Sequence, residues 1–119
     1  MDEEIIYDRF GNAVYRLCGK VFYDYHGKPR GFLVGKTIYD LRKQHRGFYI
    51  GKLARDRMGK IIGFASGAST NGLALPLTNI PPVPYDNLPP PELPADLLDR
   101  KFNGGPPVWS IMQLQNLLV

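Results

Sequence analysis

Four aspartates, Asp8, Asp24, Asp40 and Asp56, recur at a spacing of sixteen residues. Brought together, four carboxylates could hold a hard cation or work as an acid/base pair. Their local setting gives a plainer reading. Asp8-Arg9-Phe10-Gly11, Asp24-Tyr25-His26-Gly27 and Asp56-Arg57-Met58-Gly59 each place Asp first and Gly fourth. Asp in the first position accepts backbone N–H groups further along the turn, and Gly in the fourth supplies a positive φ. A hairpin tip needs such an aspartate in every copy, whereas a catalytic site seldom needs one residue four times. The third copy, Asp40-Leu41-Arg42-Lys43, has Lys where the Gly belongs, so a strained lysine or another turn is expected there.

Other reactive residue types lack the context their chemistry needs. Gly31 and Gly35-Lys36-Thr37 suggest a phosphate-binding loop, but three residues separate the glycines where that motif has four. Gly51-Lys52-Leu53 repeats the same pattern as a turn. His26 and His45 stand without a set of further ligands at metal-binding spacing. Cys18 occupies the position held by Val34, Ile50 and Ser66 in the other copies, and reads as a small core residue. Ser66, Ser69 and Ser110 have no nucleophile-elbow surroundings. No catalytic pair, metal site or cofactor is expected, and no small-molecule substrate is implied.

The basic residues are the least ordinary feature. Arg9, Lys28, Arg30, Arg42, Lys43, Arg46, Arg55, Arg57 and Lys60 fall at or near the expected hairpin tips, with Phe10 and Tyr25 among them. A shared basic rim with aromatic rings suits a polyanion such as nucleic acid. The plainer reading is a solvated rim that keeps a small β protein soluble, or one covered by Asp86, Glu92, Asp96 and Asp99 of the tail. Residues 1–68 carry thirteen Lys/Arg against seven Asp/Glu, a net +6, and residues 69–119 carry a net −2.

These residues are positioned by a repeat. Tyr-Asp or Arg-Asp, Gly-Phe and Gly-Lys pairs each keep their own phase through four units and the first 68 residues, with Tyr15-Arg16 replacing Gly-Phe in the first and Gly67-Ala68 replacing Gly-Lys in the fourth. The second unit, VFYDYHGKPRGFLVGK over residues 21–36, opens on a β-branched and aromatic strand, turns at Asp-x-x-Gly and returns to Gly-Lys. Gly31 and Gly47, in mid-strand, mark a close approach, and space for a Tyr23- or Tyr39-type ring is expected there. One hairpin cannot bury enough apolar surface. Four around an axis can share a core of Ile6, Phe22, Ile38, Phe32, Phe48 and Phe64, and closure removes the strand edges. The expected fold is all-β: four pseudo-fourfold hairpins in a small closed radial structure.

Four tandem Tyr-Asp-x-x-Gly…Gly-Phe…Gly-Lys units resemble the bacterial family called the 4-fold beta flower domain, over about residues 4–68. The resemblance implies a radial β fold and no activity. The Tyr-Asp units are also similar to the YD repeats of Rhs-type proteins and, more loosely, to MORN repeats, whose periods are longer.

Residues 69–119 form a different region, with ten of the eleven prolines from Pro76 onward. Such a stretch is extended, and Leu75, Leu77, Ile80, Val83, Tyr85 and Leu88 make it too apolar for a free linker, so a strap is expected. Short helices are expected near 94–102 and 110–118. Trp109, Ile111, Leu114 and Leu118 are the candidate anchors, docking on this domain, on a second copy or on another protein.

The single cysteine suits a reducing cytoplasm, Met1-Asp2-Glu3-Glu4 is not a signal-peptide start, and no apolar run spans a membrane. The composite expectation is a cytoplasmic, non-enzymatic module for self-association or protein binding. Sequence-independent nucleic-acid binding through the tips is the alternative.

Overall fold

The computed structural model describes residues 3–70 and 72–118. Eight antiparallel strands follow one another around a closed barrel: β1 (Glu3–Tyr7), β2 (Ala13–Cys18), β3 (Val21–Tyr23), β4 (Pro29–Val34), β5 (Thr37–Asp40), β6 (His45–Ile50), β7 (Leu53–Asp56) and β8 (Ile61–Phe64). Each sixteen-residue unit contributes one hairpin. The circle closes where β1 meets β8, with Tyr7 opposite Phe64. All four Asp tips therefore lie at one end of the barrel, and the Gly-Lys turns lie at the other.

The tips form as their chemistry requires. The Asp8 carboxylate accepts from the backbone N–H groups of Phe10 and Asn12, both at 2.9 Å. Asp24, Asp40 and Asp56 repeat the two bonds on their own tips. The four aspartates are turn caps. Gly11, Gly27 and Gly59 have positive φ, and Lys43 takes the same conformation at φ 67°. The third tip thus keeps the common turn at the expense of a strained lysine.

Alternation along the strands sorts the apolar residues to two faces. Ile6, Phe22, Ile38 and Ala54 form an inner ring, paired across strands with Leu17, Leu33 and Tyr49 towards one end. Phe32, Phe48 and Phe64 do not join that ring, contrary to the expectation of one shared core. They lie an odd number of residues from the inward positions and so face outward. Phe32 and Phe64 stand opposite Tyr39 and Tyr7. These outer rings are buried even so. The tail runs over part of this face: Phe102 stacks on Phe48 at 4.9 Å, and Leu73, Leu75 and Trp109 pack on Tyr7, Leu53, Ile61 and Phe64.

The tail is a strap that visits the units in order. The Asn79 N–H donates to the Gly11 carbonyl, and those of Tyr85 and Leu88 donate to Tyr25 and Gly27. Asp99 accepts from the Lys36 backbone N–H and the Thr37 hydroxyl, and the Tyr39 hydroxyl donates to the Leu98 carbonyl. The strap then exchanges backbone bonds with Ile61 from Val108 and Ser110, and the Ser110 hydroxyl donates to Asp56 at 2.6 Å. The tip glycines have a second use here. A Cβ on Gly11 or Gly27 would overlap the strap carbonyl of Leu77 or Asp86.

The helices expected near 94–102 and 110–118 are absent. The first segment runs irregularly, with a turn at Ala95-Asp96, and its Leu98 carbonyl, Asp99 carboxylate and Arg100 N–H bond to Tyr39, Lys36 and Thr37 of the barrel. The second holds a single 3-10 turn, Leu114–Asn116, because its leucines enter the barrel from an irregular backbone.

Relieving the left-handed lysine gives a direct check. Lys43→Gly is expected to stabilise the protein by about 1 kcal/mol in urea unfolding. Lys43 also pairs with Asp96 at 3.9 Å, but that pair is exposed and contributes little.

Candidate docking site at the tip end

The tip end of the barrel is open in its own residues and filled by the strap. The inward position after the Ile6, Phe22, Ile38 and Ala54 ring is Tyr15, Gly31, Gly47 and Gly63. Three glycines leave a space that the barrel cannot fill. Leu114, Leu117 and Leu118 enter it and are 1–2 % exposed. A Cβ on Gly31 would press on the Leu118 methyls, and one on Gly63 on those of Leu114. At Gly31 and Gly63 the mid-strand glycine therefore makes room for a neighbouring strand carbonyl and a tail leucine, and at Gly47 for the Arg55 backbone, rather than for a Tyr23- or Tyr39-type ring as the repeat alone suggests.

Polar groups of the rim hold the plug in register. Tyr15 breaks the glycine pattern, and its hydroxyl lies 3.3 Å from the Leu118 N–H and 3.3 Å from the Gln115 carbonyl. Burial pushes the Tyr15 phenol up. Arg30 donates through Nε and a terminal nitrogen to the Leu118 carbonyl, at 3.2 and 3.1 Å. Arg46 Nε donates to the Leu117 carbonyl at 2.7 Å. Arg16, the other exception of the first unit, is buried against Tyr23 and Tyr25 and donates to the strap at Asn87.

The candidate anchors thus divide. Leu114 and Leu118 are plug residues of their own barrel, together with Leu117, which the sequence reading missed because it falls outside the helical face drawn for 110–118. Trp109 is half-buried, with the Arg9 guanidinium 5.6 Å from its ring. Ile111 is 96 % exposed.

The basic set divides as well. Arg30 and Arg46 hold the plug, Arg9 stacks on Trp109 and Phe10, Arg55 donates to Gly59 and Pro106, and Lys43 faces Asp96. Arg42 is exposed on the third tip. Among the described residues, Lys28, Arg57 and Lys60 are exposed tip cations outside any ion pair. Asp99 does pair with a lysine, but it is Lys36 of the opposite turn, at 3.2 Å.

Cys18 is not a core residue. It lies half-buried at a strand end, its thiol on Glu3 Oε2 at 3.5 Å, and burial followed by that carboxylate pushes its pKa up, away from a nucleophile's.

What remains open mixes apolar and polar side chains. A cleft of roughly 170 Å³ lies between the first tip and the C-terminal segment, lined in part by Arg9, Phe10, Trp109, Met112 and Leu114. Met112 also borders a second hollow with Arg46, Arg57 and Met58, so the two share one surface. Phe10 is 67 % and Met58 79 % exposed on it. The arrangement can seat apolar side chains between cations.

The model of the 4-fold beta flower protein family matches residues 4–118. The chain belongs to that family. The match runs beyond the repeats, which the resemblance alone covered, and includes the strap and the plug. No curated protein and no solved structure matches. Among the described residues, no helix of this 4-fold beta flower protein is long and apolar enough to cross a membrane.

Two measurements test the plugged end. Leu114→Ala and Leu118→Ala should each cost roughly 2–5 kcal/mol of unfolding free energy, while Ile111→Ala should change it by less than about 0.5 kcal/mol. The second is alkaline stability. Burial, then the bond donated to Glu4 at 2.8 Å, raises the Tyr49 phenol, and burial raises Tyr15. The native state keeps protons that the unfolded chain loses, so this stability is present below the ordinary phenol value near ~10 and falls as pH rises above it. Tyr49→Phe should flatten that fall in urea midpoints measured through the alkaline range.

Proposed function

We propose that this chain is a non-enzymatic protein-docking and assembly module working in a reducing, cytoplasmic setting. The observation that carries the reading is the tip-end surface, where Phe10, Met58 and Ile111 stand more than two-thirds exposed beside the Trp109 cleft. Large apolar side chains gathered on one surface of a small protein mark an interaction site. Trp, Met and Arg are residues that interfaces favour. The plug supports the same reading, since it fixes Trp109 and Met112 on a rigid base and lowers the ordering cost of docking.

Sequence-independent nucleic-acid binding is the second reading. Its support is the placement of all four tips at one end of the barrel. It ranks below the first because Arg30, Arg46, Arg55, Arg9 and Lys43 are engaged within the chain, which leaves few cations to neutralise phosphates.

Photo-crosslinking residues introduced singly at Met58 and Ile111 in cells test the two. Protein adducts at these positions, with none from a control at Lys20 on the opposite end, are expected. Adducts to nucleic acid only, or none at all, would overturn the docking reading.

A further inference from the structure

The chain carries two exposed apolar surfaces of opposite charge. The first is the tip end already described, where Phe10, Met58 and Ile111 lie among the cations of the tips. Arg57 and Lys60 flank Met58 and are in no ion pair among the described residues.

The second is the outer side of the strap. Leu77, Ile80 and Val83 are 94 %, 95 % and 88 % exposed. No Lys or Arg occurs between residues 69 and 99. Of the four acids there, Asp96 and Asp99 are paired with Lys43 and Lys36. Asp86 and Glu92 are in no ion pair among the described residues.

The strap is also held in a docking-ready shape. Its backbone is fixed to the first tip at Asn79 and to the second at Tyr85. Between those anchors Pro81, Pro82 and Pro84 fix their own φ and keep the residues before them extended. Ile80 and Val83 are therefore presented on a stiff segment, and seating them orders little further chain.

We infer that the partner of the tip end is a second copy of this chain, docking through the outer side of its strap. This deepens, and rests on, the docking function proposed above. Ile80 and Val83 of one copy meet the Phe10, Met58 and Ile111 surface of the next, and Asp86 and Glu92 meet tip cations such as Arg57 and Lys60. The two surfaces are complementary in charge and alike in apolar character, and among the described residues their large apolar side chains stay mostly exposed. A stable contact buries about 800 Å² on each side, a modest share of the 7100 Å² surface of one copy. Self-association by surfaces of opposite charge is screened by salt, whereas a purely apolar contact is not weakened by it.

Sedimentation of the full-length chain over a range of concentrations, in low and high salt, tests this. A doubled or higher mass in low salt, reduced in high salt, is expected. Ile80→Asp with Val83→Asp should each give a monomer when combined in one strap variant, and Arg57→Glu with Met58→Asp should do the same as a tip variant. All four side chains are exposed or on exposed loops, so both variants should keep the wild-type unfolding midpoint. An equimolar mixture should recover association, because the intact strap of one variant meets the intact tips of the other. A wild-type monomer at every concentration overturns the inference. So does association that either variant leaves unchanged, or a mixture that stays monomeric while the wild type assembles. A wild-type monomer whose Met58 crosslinks to an unrelated protein in cells keeps the docking function and removes only the second copy as its partner.

Discussion

The vacancy left by Gly31 and Gly63 at one end of the barrel is the constraint on which the rest of the structure depends. Eight short strands close a ring, but glycine at this inward position supplies no side chain to fill it. An apolar void of that size forfeits contacts on every wall. Leu114, Leu117 and Leu118 supply them, and burying each is worth about 1.5–3 kcal/mol. A 65-residue barrel is marginal on its own surface-to-volume ratio, so these three leucines decide whether it is a stable fold.

Much else follows from bringing those leucines to the right end. The strap must travel from β8 round the barrel to the tips, and prolines keep it extended on the way. It is held at points by backbone bonds to Gly11, Tyr25, Gly27 and Ile61 and by Asp99 on Lys36 and Thr37. Tyr15, Arg30 and Arg46 then satisfy carbonyls that the plug would otherwise bury unpaired. One family model matches repeat and strap together, over residues 4–118. Because the plug uses the inward sides of the tail, outward side chains such as Ile80, Val83 and Ile111 stay exposed.

The repeat phase made the barrel legible from the sequence. Period, turn chemistry and strand composition agree at three of the Asp tips, and at the third tip the missing glycine left a strained lysine or another turn open, of which the structure has the left-handed Lys43. The tail was less legible. Its extended character was readable from the prolines, but what it covers was not, because Gly31 and Gly63 announce a close approach without naming the approaching group. Tyr15 was visible as a departure from Gly-Phe, yet its role depends on Leu118, 103 residues away. The same holds for Arg30 and Arg46. Their spacing suggested a solvent-facing basic rim, and only the path of the strap turns them inward onto carbonyls. Local pattern therefore gave the hairpins, while the docking site required knowing which tail residues the barrel consumes.

Isotope-filtered NOE spectroscopy on methyl-labelled protein, mixed with an excess of unlabelled protein, tests the plug most directly. The account predicts cross-peaks from the Leu118 methyls to Gly31 and from the Leu114 methyls to Gly63, arising within single labelled molecules. Random-coil shifts for those methyls, with no cross-peak to either glycine, would contradict it.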